Sequence, residues 1–252
     1  MTFVAVGLAI AAAVAGGLYW LLRPGDGSGP PKAAIVDQAS LSQANPSFVQ
    51  KATSTLEQAG YVVDYYPGGQ VTVDFYRELP TRGYDLLVLR THSGLVREGD
   101  QENEAFLFTS EPYSQTEYVD DQQARRLIMA TYDTTSGVSV ELSELSRYFG
   151  IVAEFVKSAM KGRFDDTTII LMGCNGLTSN TLAKAFVERG AKQVASWDGL
   201  VSASHTDAAA ERLLEHLLVE GLSLEEAVAR TMAEVGPDPT YQSKLLSYPP
   251  GD

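Results

Sequence analysis

A single cysteine, Cys174, is all the thiol the 252 residues hold. No disulfide can form within the chain, and a zinc site built on several thiolates is excluded. Histidine is scarce too: His92, His205 and His216 are the only three. The sequence has no GxGxxG and no Walker A loop, so nothing in it supports nucleotide binding. Basic residues are in deficit, 19 Lys and Arg against 32 Asp and Glu, for a formal net charge of -13. A surface that acidic repels phosphate backbones, and nucleic acid is not an expected partner. Neither a metal nor a cofactor is expected. What remains is ordinary: 44% hydrophobic and 20% charged residues argue for a folded domain rather than a disordered chain.

Charge is missing altogether from Met1 to Leu22. A helix of about 20 apolar residues crosses a hydrocarbon core about 30 Å thick. Tyr19 and Trp20, followed by Arg23, have the character of an interfacial anchor. A cleaved secretory signal is the alternative, but it needs a basic start and a shorter apolar stretch. The expectation is a transmembrane helix over 1–23 and a flexible linker over 24–32, where Gly25-Asp26-Gly27-Ser28-Gly29-Pro30-Pro31 lies. Arg23, Lys32 and Lys51 follow the span and no basic side chain precedes it. The positive-inside bias therefore predicts a single-pass membrane protein with its large domain in the cytoplasm.

Beyond the linker, apolar runs alternate with helical spacing. Strands are expected at Ala33–Asp37, Tyr61–Tyr66, Tyr84–Arg90, Thr167–Met172 and Gln193–Trp197. Helices are expected over 47–59, Val73–Leu79, Tyr148–Lys161, Thr178–Arg189, Ser204–Glu220 and Ser223–Val235. That order predicts an α/β fold, a three-layer sandwich with helices on both faces of a mostly parallel sheet. The stretch 97–147 breaks the pattern with Glu, Gln, Ser, Tyr and Thr. It is expected to be an irregular insertion, with a hairpin around Ala105–Tyr118.

Ligands of such sheets bind beyond the carboxyl ends of the strands. Leu86-Leu87-Val88-Leu89 is followed by Arg90-Thr91-His92-Ser93-Gly94, and Ile169-Ile170-Leu171-Met172 by Gly173-Cys174-Asn175-Gly176. In one parallel sheet both tips face the same edge. A lone cysteine is usually a buried, inert hydrophobe; a thiol beside an imidazole at such an edge is a nucleophile with its base. A helix starting just after Cys174 would lower the thiol pKa through its dipole. The amides of Gly94 and Cys174 are candidate oxyanion donors.

An apolar strand ending in His and a second ending in Cys resembles the caspase-like cysteine peptidases. The look is nearest to the CHAT domains: Gly173-Cys174-Asn175-Gly176-Leu177, then Leu182-Ala183-Lys184-Ala185-Phe186, then Gly190-Ala191-Lys192-Gln193-Val194, and finally Gly221-Leu222-Ser223-Leu224-Glu225-Glu226-Ala227. The resemblance covers about 84–235. It implies a caspase-like α/β domain over 33–252, a polypeptide substrate and a catalytic dyad of His92 and Cys174. The family commonly has Gly directly after the His, whereas Ser93 intervenes here before Gly94, which puts the oxyanion geometry in question. In caspases the Ser-Trp resembling Ser196-Trp197 precedes an Arg that binds an acidic substrate side chain. Asp198 stands there instead, so Trp197 and Asp198 imply a substrate pocket suited to Arg or Lys. The competing reading makes Asp198-Gly199 a simple turn.

Ser202, Ser204, His205 and Asp207 lie close together in sequence, but members of a serine-type triad meet in space rather than in one loop. They are read as the polar start of a helix, with Ser204 or Thr206 as N-cap; His216 is read as a surface residue of that helix. Two functions from different classes follow, with an unrelated small-molecule-binding α/β domain as a third. One is a membrane-anchored cysteine endopeptidase that cleaves after basic residues. The other is an inactive domain of the same fold, a membrane-tethered binding or scaffold module.

Overall fold

The computed structural model describes residues 29–97, 99, 103–132 and 146–250. Its frame is a six-stranded sheet in the order β10-β9-β8-β3-β1-β2. The strands are β1 (Lys32–Asp37), β2 (Val62–Pro67), β3 (Leu86–Arg90), β8 (Thr167–Leu171), β9 (Ala191–Trp197) and β10 (Leu245–Tyr248). All neighbours pair in parallel except β10, which runs antiparallel to β9. The central strands are apolar throughout because both faces are covered. Ala34, Val36, Leu87, Leu89, Ile169 and Leu171 enter one core. Ala33, Ile35, Leu86, Val88 and Ile170 enter the other.

The second core is closed by α1 (Pro46–Gln58), α6 (Ala203–Leu218) and α7 (Leu224–Val235), which contribute Phe48, Leu56, Leu213, Leu224 and Val228. Each start has a local cause. Asn45 caps α1 by accepting from Phe48 N–H, with Pro46 in the first turn. Ser223 and Glu226 form a reciprocal capping box at α7. The first core is closed by the short helices α2 (Val73–Glu78), α4 (Ala153–Ser158) and α5 (Thr181–Glu188), through Phe75, Phe155, Leu182 and Phe186.

That face also carries a second, four-stranded antiparallel sheet in the order β4-β5-β7-β6. It is made of β4 (Ser93–Leu95), β5 (Ala105–Pro112), β6 (Leu127–Thr131) and β7 (Arg147–Ile151). Helix α3 (Val119–Gln123) lies between β5 and β6. The stretch 97–147 is therefore not irregular where it is described. It supplies the body of a sheet that buries Ala105, Leu107, Phe149 and Ile151 against the main core.

The expected fold class needs correction. The main sheet is mixed, with only the edge strand β10 antiparallel, but an antiparallel second sheet joins it, and no helix among the described residues is long and apolar enough to cross a membrane. The expected span over 1–23 lies outside the described residues, as do 24–28 of the expected linker. Lys32 already pairs with Val62 and belongs to β1 rather than to the linker. Two helices are also shorter than their spacing suggests. Tyr148 to Ile151 is strand, and the helix expected from Thr178 begins at Thr181.

Candidate active site

Strands β3 and β8 are adjacent and parallel, with Leu89 opposite Leu171. Their tips therefore reach the same edge, and both His92 and Cys174 line one cavity of about 1190 Å³. Strand β1 ends there as well, on the far side of β3, with Asp37 opposite Arg90. Three consecutive tips of one parallel sheet thus build the site.

The tip of β3 is held by buried polar groups. Arg90, 3% exposed, spans two carboxylates: Nη1 donates to Asp37 Oδ1 at 2.8 Å and Nε to Asp207 Oδ1 at 2.7 Å. Gln38 is fully buried just after β1, and its Oε1 accepts the His92 N–H at 3.0 Å. Its amide group donates to Tyr132 Oη and to the Thr109 carbonyl. The backbone of His92 is thereby fixed from β1, while its ring lies edge-on to Tyr132, centroids 4.8 Å apart. Burial first, and then the charge of Arg90, holds the imidazole below its usual pKa range. His92 Nε2 is 2.7 Å from Ser42 Oγ.

The tip of β8 turns sharply. Asn175 takes a left-handed φ of 60°, a region Asn tolerates better than most residues. The glycines on either side are there for close approach. A Cβ at Gly173 would collide with Ser93 Oγ and the Thr91 carbonyl, and one at Gly176 with Ser196 Oγ and Leu171. The thiol of Cys174 is half-buried and rests against one residue: Sγ lies 3.6 Å from the Val201 carbonyl and accepts the Val201 N–H at 3.4 Å. Burial raises the thiol pKa. The Val201 amide opposes the rise, while the negative charge of Asp238 adds to it. Because α5 starts only at Thr181, it is not the helix nearest the sulfur; that is α6, whose N-cap Ser202 directly follows the Val201 that the thiol touches. Burial thus disfavours the charged form of both groups, and each is hydrogen-bonded elsewhere, Nε2 to Ser42 and Sγ to Val201.

The register of β4 decides which amide could serve as an oxyanion donor. Phe108 N–H donates to the His92 carbonyl and Val96 N–H to the Glu104 carbonyl, with Gly94 opposite Phe106 between them. Backbone groups alternate along such a ladder, so the Gly94 amide is turned towards β5 and the Ser93 amide away from it. Ser93, the residue that departs from the family pattern, also donates its hydroxyl to the Cys174 carbonyl at 2.5 Å.

Asp198 and Trp197, expected to form a substrate pocket, lie elsewhere. Neither residue lines the cavity. Asp198 Oδ1 accepts the Lys244 N–H at 2.7 Å, and its own N–H donates to the Lys244 carbonyl, which seats the start of β10. Trp197 is 1% exposed, and its indole N–H donates to Thr206 Oγ1 at 2.9 Å. His205 lies tilted against Trp197 with Nε2 3.1 Å from the Gly236 carbonyl. His216, expected at the surface, is fully buried beside Glu220 and Glu234. Asp207 joins the Arg90 cluster instead of a triad, and α6 is capped at Ser202 rather than at Ser204 or Thr206.

Several residues of the site were not anticipated: Gln38, Ser42, Tyr132, Val201 and Asp238. A signal existed for Gln38, because Asp37-Gln38 ends an apolar run as His92 and Cys174 do. Asp238 is buried and accepts from Ser202 N–H and Oγ–H, Thr240 N–H and Tyr241 N–H. Burial alone would raise its pKa, but these donors outweigh that and hold it at about 2. It thereby anchors the loop whose Val201 holds the thiol. Among the described residues no group of three or more His, Cys, Asp or Glu is placed to share a metal ion. No family model matches the chain, and no curated protein matches it.

Proposed function

We propose that the chain is a cysteine endopeptidase of the caspase-like type, with Cys174 as nucleophile and His92 as general base and acid. One observation carries this reading: two adjacent parallel strands deliver the chain's only thiol and an imidazole of lowered basicity into one cavity large enough for several peptide residues. His92 takes the thiol proton as Sγ attacks the scissile carbonyl, forming the C–S bond and a tetrahedral oxyanion. The amides of Ser93 and Cys174 are the candidate donors to that oxygen. Collapse breaks the C–N bond, the amine leaves with the proton from His92, and water then hydrolyses the thioester with His92 as base.

In the resting arrangement Nε2 bonds to Ser42 and Sγ rests on Val201, so substrate must draw the ring and the thiol together. That same arrangement favours a second reading, a non-catalytic binding module of the same fold. Incubation of the purified chain with a mixed peptide library separates them. The peptidase reading expects cleavage that Cys174→Ala and His92→Ala both abolish. The binding reading expects peptide retention without cleavage, unchanged by either substitution.

A further inference from the structure

The second sheet is apolar on both faces. One face joins the main core. The other gathers Phe106, Phe108, Ala130 and Val152, with Val96, Tyr132 and Tyr148 against them. Its rings form a continuous wall that ends at the catalytic imidazole: Phe108 and Tyr132 stack at 4.6 Å, and Tyr132 meets His92 edge-on. Phe106, Phe108 and Tyr132 all line the cavity. The wall fits closely to the edge strand. Gly94 lies against the Phe106 ring, where a Cβ would come within 3.0 Å of it.

Strand β4 is the edge of this sheet and, among the described residues, pairs with β5 alone. The alternation that turns Gly94 and Val96 towards β5 leaves the backbone groups of Ser93 and Leu95 facing the other way. Residues Ser93 to Val96 all border the cavity. An unpaired edge of this kind is a template for an extended peptide. Charge decides which peptide. Arg90 is held between Asp37 and Asp207 by hydrogen bonds, and Arg97 at the far end of β4 is itself engaged. A buried ion on the substrate would find no partner there, whereas a ring or large aliphatic group gains by leaving water.

We infer that substrate adds as an extended, uncharged strand to the free edge of β4. It pairs with the backbone of Ser93 and Leu95 and lays one aromatic or large aliphatic side chain against Tyr132, the partly exposed ring of a wall whose Phe106 and Phe108 are buried behind it. The inference rests on the peptidase reading for its consequence, but the binding it describes precedes chemistry. It is tested with the Cys174→Ala chain, which cannot turn over. Fluorescein-labelled peptides that differ at one position, Phe, Leu, Lys or Asp, are titrated by anisotropy. The Phe and Leu peptides are expected to bind at least about tenfold more tightly than the Lys and Asp peptides, and Tyr132→Ala should erase that preference. Replacing the peptide amide that faces Leu95 with an ester should weaken binding about tenfold without touching the protein. Leu95→Pro, which removes an N–H the ladder does not use, should do the same. Equal affinity for the four peptides, or indifference to the ester, overturns the inference. Tight Phe binding to this chain without cleavage by the wild type sinks the peptidase reading and leaves the strand addition standing.

Discussion

The hydroxyl of Ser93 donates to the carbonyl of Cys174 at 2.5 Å, across the gap between two strand tips. Ser93 thus ties the segment that carries His92 to the turn that carries Cys174. Gly173 makes that approach possible, since a side chain there would occupy the place of the hydroxyl.

Ser93→Ala should therefore act on geometry rather than on folding alone. The half-buried Cys174 carbonyl loses a donor, worth about 1–3 kcal/mol if water does not replace it. The expected outcome is a lower urea midpoint together with a fall in kcat at unchanged KM, measured on one cleaved peptide. Ser93→Thr, which keeps the hydroxyl, should restore most of both. Wild-type kcat in Ser93→Ala would show that the latch is irrelevant to turnover.

Arg90 carries the largest electrostatic stake in the site. Among the described residues it is the one cation paired with both Asp37 and Asp207, all three being buried. Arg90→Met should leave two buried carboxylates without a counter-charge and cost about 3–5 kcal/mol. Urea unfolding at pH 7 reads this directly. A loss below about 1 kcal/mol would mean that water reaches the cluster freely.

The two pKa shifts predict opposite pH behaviour. The thiol is raised, so the alkylation rate of Cys174 should keep climbing with pH beyond the ordinary thiol range. Asp238→Asn should move that rise to lower pH, unless the loop it anchors is lost. The imidazole is lowered, so its contribution to stability is fully present above the unfolded histidine pKa and disappears as pH falls through the folded one. Between pH 7 and pH 5 the wild type should lose more stability than His92→Gln. Equal losses would mean that His92 is not buried as described.

Asp198 should be structural. With its carboxylate engaged by the Lys244 amide, Asp198→Ala is expected to cost about 1 kcal/mol and leave the ratio of Arg to Leu cleavage unchanged. Selective loss of Arg cleavage would restore the basic pocket that the sequence suggests.

The strand tips were legible because β1, β3 and β8 are apolar on both faces, and a polar residue after such a run can only lie at the sheet edge. The second sheet was hidden by its setting. Ala105-Phe106-Leu107-Phe108 sits among Glu, Gln, Ser and Tyr, and composition over the whole stretch masked a short strand. Tyr148 to Lys161 mixes two periods, a strand ending at Ile151 and a helix starting at Ala153, which read together as one helix. Strand β10 has four residues and is seated by Asp198 and Lys244, contacts no local pattern announces. The helix after Cys174 was placed too early because Thr178 bonds the Asp198 carbonyl and Asn175 instead of starting a turn of helix. His216 was misplaced because a helical pattern shows a face but not what covers it. Here Glu220 and Glu234 do.

A nucleophile at Cys174 activated by His92 is detected by intact-mass measurement after reaction with a peptidyl electrophile. The probe should carry Phe or Leu next to its reactive group, at pH 7.5, in parallel with iodoacetamide. The account predicts one adduct, on Cys174. It also predicts that the peptidyl probe reacts at least about a hundredfold more slowly with His92→Gln than with wild type, while iodoacetamide reacts with both at similar rates above pH 9. A folded wild-type chain that takes iodoacetamide but not the peptidyl probe, or a peptidyl rate indifferent to His92→Gln, would contradict it.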